Sequence, residues 1–493
     1  MNEEKRSEGK PGLQTADIAR RDFLTLMGVG AAAVLARDLY AAVEEVHGKK
    51  PNIILILADD LGYADIGLHG CKDIPTPNID SIGRRGVRFT NGYVSCPVCS
   101  PTRAGIMTGR YQERFGHWYN PGPPAQIGPD VGLPLGEITI AELLRQSGYR
   151  TALVGKWHLG LDPKFHPMKR GFDEFFGFLH GSHAYTKPLA DTLNPILRGT
   201  EPVDEKEYLT DALKREAVGF IEKQGADPFF LYFAPNAVHA PMEAPQKYLD
   251  RFPSITDPKR KTYAAMLSAL DDAVGAILET VRKKEIDDNT LIIFLSDNGG
   301  PPQANASCNT PLSGAKGGVQ EGGIRVPFLM KWPDRISSGQ IYDRPVISLD
   351  ILATCLSAAH GEVSKDRVID SADLLPYIRG KTGSPHKALF WKFRQNAAIR
   401  QGKWKLIKND DGTTRLYNLS KDIAEEHDLA ADNPKRVKEM SDLLQKWEAE
   451  LKPPLWAGGQ PGARARKQQA KPAGKGRAAS ARKAVRTKKN RLQ

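Results

Sequence analysis

The chain has 493 residues, of which 40% are hydrophobic and 26% are charged, and its formal net charge is +12. This length and composition are typical of a soluble globular protein with one large domain and a smaller unit. The excess positive charge is confined to residues 457–493, which contain 12 Lys or Arg and no Asp or Glu. The rest of the chain is formally neutral and has no base-reading motif, which argues against a specific nucleic-acid-binding protein.

Residues 1–49 are predicted to be an export signal and leader. The pair Arg20-Arg21 precedes an apolar run that ends at Leu35, as in a twin-arginine translocation signal. The run is too short to span a bilayer of about 30 Å. The pattern therefore predicts a protein that is exported to the periplasm or the extracellular space. The alternative is a disordered leader that contains an amphipathic helix.

The body of the chain contains four continuous apolar runs, at residues 52–58, 150–155, 229–234 and 291–296. Such runs are typical of strands that are buried on both faces of a parallel sheet. Charged or polar residues follow each run, and ligands of such sheets bind beyond the carboxyl ends of the strands. We therefore expect the residues after the runs to form a single site.

Helical patterns lie between the runs. A capping box at Thr139 begins a helix that Gly148 can end, and Thr210 can cap a second helix that ends at Gly225. Residues 262–284 form a longer amphipathic helix. The alternation of strands and helices predicts a doubly wound α/β domain.

The sequence pattern changes after about residue 380, where we place the boundary between a catalytic domain, residues 50–380, and a C-terminal subdomain, residues 381–456. Short strand-like segments alternate with polar turns and predict a small antiparallel sheet, followed by a helix over residues 433–451. The segments are 388–391, 397–400, 403–407 and 415–418. Residues 457–493 have little apolar surface to bury, so we predict a disordered basic tail that can bind polyanions.

Cys99 lies at the start of a predicted helix. Ser100 is a suitable N-cap and Pro101 suits the first helical position, so the thiol would lie just before the helix N-terminus, where anions are favoured. Arg103 adds a positive charge in the first turn, which predicts a reactive thiol that faces an anionic substrate. The alternative is an ordinary buried cysteine. The five cysteines are too few and too scattered for a disulfide framework, and Cys96 is interpreted as structural.

Two pairs of polar residues follow two of the apolar runs. Asp59 and Asp60 follow the first run, and Asp297 and Asn298 follow the last. All four offer hard oxygen ligands, and three carboxylates in one place would repel one another unless a cation neutralised them. Oxygen ligands favour calcium, or magnesium, over zinc. The pattern therefore predicts a cation site, and the alternative is that both pairs simply form turns.

The order of these motifs resembles the type I sulfatases of the alkaline phosphatase superfamily. Their signature, Cys-x-Pro-x-Arg followed by Thr-Gly-Arg, corresponds here to residues 99–103 and 108–110, with Thr102 where Ser is frequent. Further matches lie at residues 52–62, 155–160, 239–241, 296–299, 314–317 and 321–327. The resemblance spans about residues 50–455 and implies an alkaline-phosphatase-like α/β/α sandwich with a mostly parallel central sheet.

The resemblance also implies a specific chemistry for Cys99. A maturation enzyme would oxidise it to formylglycine (3-oxoalanine), whose hydrate carries two hydroxyls: one attacks sulfur, and the other then expels sulfate. One calcium ion per chain, ahead of magnesium, would polarise both the diol and a sulfate oxygen. Its ligands would be Asp59, Asp60, the modified Cys99, Asp297 and Asn298. Asp297 would also help to deprotonate the nucleophile.

The same resemblance implies roles for five further side chains. Arg103 and Lys156 would bind and orient the formylglycine. Lys316 and His239 would bind the sulfate, and one of them would protonate the leaving oxygen. His158 would act as the base in the elimination step. Taken singly, each is better interpreted as an ordinary loop or structural residue, but their joint order along the chain favours the catalytic roles.

The sequence therefore predicts a sulfuric ester hydrolase that acts on a sulfated carbohydrate or an aryl sulfate. A phosphonate or phosphate ester hydrolase of the same superfamily is the nearest alternative, because it would keep the cation site and the modified residue. A non-catalytic sulfoglycan-binding protein is a second alternative, if Cys99 stays unmodified.

Overall fold

A computed structural model describes residues 49–186, 194–362 and 366–457. The export signal and the basic tail expected at the two ends lie outside these ranges, apart from one residue each. Within the described ranges, no helix has both the length and the apolar character that crossing a membrane requires.

The described strands form a ten-stranded sheet, a two-stranded sheet and a four-stranded sheet. The ten-stranded sheet has the order β11-β2-β10-β9-β1-β8-β4-β5-β6-β7. In chain order the strands are β1 (Asn52–Ala58), β2 (Val87–Phe89), β3 (Gly92–Tyr93), β4 (Arg150–Lys156), β5 (Glu174–Phe178), β6 (Leu197–Arg198), β7 (Glu201–Pro202), β8 (Phe229–Ala234), β9 (Thr290–Ser296), β10 (Phe328–Lys331), β11 (Gln340–Tyr342), β12 (Val346–Ile347), β13 (Leu389–Phe393), β14 (Asn396–Gln401), β15 (Trp404–Lys408) and β16 (Thr414–Asn418).

The helices cover both faces of the large sheet. In chain order they are α1 (Pro77–Arg84), α2 (Cys99–Thr108), α3 (Ile140–Gln146), α4 (Leu209–Lys223), α5 (Gln246–Leu249), α6 (Pro258–Lys283), α7 (Pro302–Asn305), α8 (Glu321–Ile324), α9 (Asp350–Ala358), α10 (Leu375–Ile378) and α11 (Pro434–Glu448). The helices α1, α4 and α6 bury apolar side chains in the core on one face, and α2, α3 and α9 do so in the core on the other. This arrangement confirms the predicted α/β/α sandwich.

Five neighbouring strands, β9, β1, β8, β4 and β5, run parallel at the centre of the sheet. Ile54 of β1 lies between Ile292 of β9 and Leu231 of β8. Side chains of β1 alternate between the two cores, with Ile53 and Leu55 on one face and Ile54 on the other. Because both faces are covered, every position from Ile53 to Ala58 is apolar, which explains the continuous runs in the sequence.

Three of the predicted helix starts differ from the structure, at Thr210, at residue 262 and at Ser100, whereas Thr139 makes the predicted capping box with Glu142. The prediction that Thr210 caps α4 is wrong: the helix begins at Leu209, and Thr210 is buried within its first turn. Tyr208 at the N-cap position makes no side-chain cap and stacks on Tyr185, and the Leu209 amide donates to the Tyr185 carbonyl at 2.9 Å.

The longer helix α6 also begins earlier than predicted. It starts at Pro258 rather than at residue 262, because the Asp257 carboxylate accepts a hydrogen bond from the Arg260 amide and caps the helix.

The C-terminal region forms the predicted antiparallel sheet and helix. Strands β13 to β16 pair in sequence order, and α11 packs against the sheet. Phe390 of β13 stacks on Trp447 of α11 with ring centroids 5.2 Å apart. Trp391 is fully buried and donates a hydrogen bond from Nε1 to the Val94 carbonyl at 2.7 Å. The small sheet is therefore anchored to the segment just before the Cys99 helix.

Substitution of Gly155 in β4 tests the tight packing of the central strands. Gly155 has a φ of +124°, and a Cβ at this position would lie 2.1 Å from the Ala234 carbonyl oxygen. Gly155→Ala should lower the free energy of unfolding by more than about 2 kcal/mol in denaturant titrations. The control Gly219→Ala, in α4, meets no heavy atom within 4 Å, and we expect it to stabilise the protein by about 0.5 kcal/mol. Equal effects of the two substitutions would contradict this account of the packing.

Candidate active site

The candidate site lies beyond the carboxyl ends of β1, β4 and β9. Ala58, at the end of β1, is in register with Ser296, at the end of β9. The residues that follow the two strands therefore lie side by side, and the Asp60 amide donates a hydrogen bond to Asp297 Oδ1 at 3.3 Å. Lys156 is the last residue of β4. The parallel register thus brings together the polar residues that the sequence places far apart.

Helix α2 begins at Cys99 itself, so the predicted cap at Ser100 is wrong. The Ser100 amide donates to Asn120 Oδ1 at 2.9 Å, which satisfies one of the free N–H groups of the first turn. The Ser100 hydroxyl donates to the His158 carbonyl at 2.6 Å, and His117 Nε2 lies 2.7 Å from the same hydroxyl oxygen. Since the hydroxyl has only one hydrogen, His117 donates the second bond.

His117 and Asn120 are two residues that the sequence did not single out. Burial lowers the pKa of His117 to about 3, so the imidazole is neutral at physiological pH and carries its hydrogen on the nitrogen that faces Ser100. No spacing or motif marks either residue, because each acts only through a contact with the turn that carries Cys99. Together with Ser100 they fix the orientation of that turn.

The Cys99 side chain is buried among charged groups. Its Sγ lies 3.2 Å from Lys316 Nζ and 3.6 Å from Asp59 Oδ1. Burial, followed by the nearby carboxylate of Asp297, raises the pKa of the Cys99 thiol to about 12. The expectation of a reactive thiolate is therefore wrong for the encoded cysteine, because burial and carboxylates outweigh the neighbouring cations.

Three buried carboxylates meet three basic side chains in this pocket. Lys156 Nζ lies 2.5 Å from Asp59 Oδ2, and Lys316 Nζ lies 2.5 Å from Asp60 Oδ1. Arg103 donates two hydrogen bonds, at 2.8 and 3.0 Å, to one carboxylate oxygen of the third acid. That third acid is Asp297. Each carboxylate thus has a basic partner at hydrogen-bond distance.

These pairs determine the charge state of the acids. Burial alone would raise the pKa of Asp59, but Lys156, His239 and Arg103 lower it below the usual value. Burial likewise opposes ionisation of Asp60, but Lys316 lowers its pKa below the usual value. Both side chains are therefore ionised at neutral pH, and neither carboxylate has to be protonated to stay buried in the pocket.

The same pocket has the ligand set for a hard cation. One ligand atom from each of Asp59, Asp60, Cys99 and His239 lies within 4.8 Å of all the others. Asn298 donates from Nδ2 to Asp60 Oδ1 at 2.7 Å, and its own Oδ1 is buried and has no hydrogen-bond partner within the described part of the chain. A buried acceptor without a partner beside two ionised carboxylates fits a cation with oxygen ligands.

Asp297 and His239 are placed differently with respect to this group. Asp297 lies outside it, with one oxygen accepting from Arg103 and the other from the Asp60 amide. His239 lies inside it: Nδ1 donates to the Ala240 carbonyl at 2.5 Å, and Nε2 lies 3.6 Å from Asp60 Oδ2. The histidine therefore presents Nε2 to the site.

His158 is buried beside these charges in an unusual backbone conformation. Its φ is +60°, in the left-handed region, and its Nδ1 has no hydrogen-bond partner among the described residues. A Cβ on Gly181 would lie 2.6 Å from the His158 ring, so only glycine leaves room for it. Burial, reinforced by the Lys156 charge, holds the pKa of His158 well below its usual value. The imidazole is thus neutral at physiological pH.

The fold and this pocket define a hydrolase of the alkaline phosphatase superfamily, and comparisons with known proteins give its family. A family model described as Sulfatase matches residues 51–361, and a second, described as N-sulphoglucosamine sulphohydrolase, C-terminal, matches residues 316–452. The first model alone covers more than half of the chain. The chain therefore belongs to the type I sulfatases, and it is a sulfuric ester hydrolase.

Individual relatives agree with this assignment. N-acetylgalactosamine-6-sulfatase of Homo sapiens is 35% identical over 394 residues, which cover 71% of this chain and 74% of that protein. Arylsulfatase A of Homo sapiens is 32% identical over 457 residues, which cover 82% of this chain and 87% of that protein. The solved structure of Ps i-CgsB in complex with k-i-k-neocarrahexaose has a TM-score of 0.81 at 38% identity, and the match covers 86% of this chain and 98% of that one.

Burial of Cys99 predicts its reactivity in the folded, unmodified protein. Because the side chain is 1% exposed and its thiol stays protonated, iodoacetamide in mildly alkaline buffer should label it at least about tenfold more slowly than in the unfolded chain. Cys308, which is only partly buried, serves as the internal control. Peptide mass spectrometry measures both rates, and rapid labelling of Cys99 in the folded protein would contradict the described geometry.

Proposed function

We propose that this sulfatase removes sulfate from carbohydrates through a formylglycine made from Cys99. The observation that carries the proposal is the position of Cys99 at the first turn of α2, with Lys316 Nζ 3.2 Å from its Sγ and buried carboxylates around it. The residue lies within the Cys-x-Pro-x-Arg signature at 99–103. In the encoded chain, Sγ of Cys99 occupies the position that the hydrated aldehyde of formylglycine would take after maturation.

The raised pKa of the Cys99 thiol favours a modified residue over the encoded one. A thiol with a pKa of about 12 is a poor nucleophile at neutral pH. The hydrated aldehyde of formylglycine would supply one hydroxyl to attack sulfur and a second to expel the sulfate. The proposal therefore includes a maturation enzyme as a partner of the newly made chain.

The basic side chains divide into two groups by exposure. Arg103 and Lys156 are fully buried and pair with Asp297 and Asp59, and we assign to them the binding and orientation of the formylglycine. Lys316 and His239 are 17% and 21% exposed, so they are the cations that an incoming sulfate group would meet. We assign sulfate binding to this second pair.

The hydrogen positions on Lys316, His239 and His158 suggest which residue donates and which accepts a proton. Burial alone would lower the pKa of Lys316, but Asp60 and Cys99 raise it well above the usual value, so Nζ keeps its proton and donates hydrogen bonds. His239 holds a hydrogen on Nδ1 for the Ala240 carbonyl and presents Nε2 to the substrate side. We assign protonation of the leaving oxygen to this Lys316 and His239 pair, and the role of base to the neutral His158.

The pocket fits a calcium ion, with magnesium second. Asp59, Asp60, the modified Cys99 and Asn298 would hold it, and it would polarise a sulfate oxygen. Asp297, the fifth predicted ligand, lies outside the group of ligand atoms that meet within 4.8 Å.

Export and tail binding remain proposals from the sequence. The twin arginine at Arg20-Arg21 supports export through the twin-arginine route. The 12 basic residues of the tail, 457–493, support adhesion to polyanions.

Activity measurements on the matured protein test the proposal. We expect mass spectrometry to show an aldehyde in place of the Cys99 thiol, and we expect sulfate release from neocarra-oligosaccharides or from N-acetylgalactosamine 6-sulfate. Rates on a matched aryl sulfate and aryl phosphonate distinguish the alternative hydrolase, because a phosphonate preference would favour it. Cys99→Ala should lower kcat at least about 1000-fold. An unmodified thiol in active protein from the native host would refute the formylglycine route.

Calcium dependence gives a second prediction. Dialysis against a chelator should abolish turnover, and added calcium should restore it more fully than magnesium. Asn298→Ala should raise the calcium concentration needed for half-maximal activity at least about tenfold, because it removes the unpaired ligand oxygen. The control Asn289→Ala lies just before β9, at the opposite end of the same strand, and should leave that concentration unchanged. Equal calcium requirements in both variants would exclude Asn298 as a ligand.

A further inference from the structure

Lys316 lies in a loop, residues 313–320, whose two ends are held by one side chain of the C-terminal subdomain. Glu425 Oε2 accepts hydrogen bonds from the Ser313 hydroxyl and, at 2.7 Å, from the Glu321 amide. The Gly322 amide donates to the Ser313 carbonyl at 2.6 Å, which closes the base of the loop. A single carboxylate from outside the catalytic domain therefore joins both ends of the segment that carries Lys316.

A buried lysine holds that carboxylate in place. Lys405 of β15 has a fully buried side chain, and its Nζ lies 2.8 Å from Glu321 Oε1 and 2.8 Å from Glu425 Oε1. Without this cation, Glu321 would keep Arg325 as a partner, but the buried Glu425 carboxylate would face it with no ammonium between them, and the repulsion would favour movement of Glu425 away from Glu321. The movable element is the loop that begins at Ser313.

Glu321 is also fixed from the catalytic side. Tyr93 donates its hydroxyl to Glu321 Oε2 at 2.6 Å, and Arg325 Nη1 lies 3.2 Å from the same oxygen. Both partners belong to the large domain, so Glu321 has little freedom to adjust. Loss of Lys405 would therefore displace the Glu425 side chain rather than Glu321. Because Ser313 donates a hydrogen bond to Glu425, the Ser313 end of the loop would move with it.

The backbone of Glu425 supports a role beyond ordinary packing. Its φ is +56°, in the left-handed region that disfavours side chains larger than glycine. Such conformations are strained and persist where the surrounding structure holds them. Here the strained residue is the one whose carboxylate joins the two ends of the Lys316 loop.

The Lys316 loop also contacts the segment around Cys99. The Gly317 amide donates to the Pro97 carbonyl at 2.9 Å, which ties the loop to the segment before Cys99. Lys316 Nζ then contacts Asp60 Oδ1 and Cys99 Sγ. We infer that Lys405 and Glu425 are positioning residues that set the distance of the Lys316 ammonium from the sulfate, an inference that rests on the proposed sulfate-binding role of Lys316.

Inhibition by inorganic sulfate tests this inference in the matured, full-length enzyme. Lys405→Met and Glu425→Gln should each raise the inhibition constant of sulfate about tenfold and lower kcat/KM for an aryl sulfate by a similar factor. The control Lys408→Met removes a half-exposed lysine from the end of the same strand and should change neither value. Wild-type inhibition constants in Lys405→Met and Glu425→Gln would overturn the inference.

A double-mutant cycle separates positioning from general destabilisation. In a Lys316→Ala background, Lys405→Met should change the inhibition constant less than about twofold, because its effect passes through the missing ammonium. Additive losses would overturn the inference. If Lys405→Met fails to fold, the milder Glu425→Gln completes the same cycle.

Thermal shift with sulfate keeps the two proposals distinguishable. A wild-type protein that is stabilised by sulfate but does not hydrolyse sulfate esters would refute the proposed function, and the variants would still test positioning by their smaller shift. Equal sulfate-induced shifts in the wild type, Lys405→Met and Glu425→Gln would refute positioning alone.

Discussion

The burial of three carboxylates in one small pocket is the constraint on which the rest of the site depends. Each carboxylate loses hydration, and the three repel one another, so the fold must surround them with matching positive charge. A lysine from β4, an arginine from α2 and a lysine from the loop before α8 provide it. The pocket thereby combines three buried carboxylates with three basic side chains, the arrangement on which the proposed cation and sulfate binding rests.

The architecture explains how such distant residues converge. Parallel strands in register place the residues after β1 and β9 next to each other, and α2 lays its first turn across the same edge. The C-terminal region also contacts the Lys316 loop: Lys405 lies in β15, and Glu425, which follows β16, accepts hydrogen bonds from residues at both ends of the loop.

The long apolar runs, and hence the sheet and the location of the site, could be predicted because burial on both faces leaves a strong local signal. The helix starts at Thr210 and Ser100 were predicted wrongly, since tertiary contacts of Tyr208 and Asn120 replace the side-chain caps. His117, Lys405 and Glu425 had no signal in the sequence at all. Each acts through a contact with a residue distant along the chain, and no local pattern records such contacts.

The fate of a solvent oxygen atom tests the central claim most directly. Attack on sulfur by a group derived from Cys99 breaks the sulfur–oxygen bond of the ester, so the alcohol keeps its own oxygen. For hydrolysis of a sulfated saccharide in water enriched in heavy oxygen, we expect the label in the released sulfate and none in the sugar hydroxyl. Label in the sugar hydroxyl would show cleavage on the carbon side and would contradict the proposed role of Cys99.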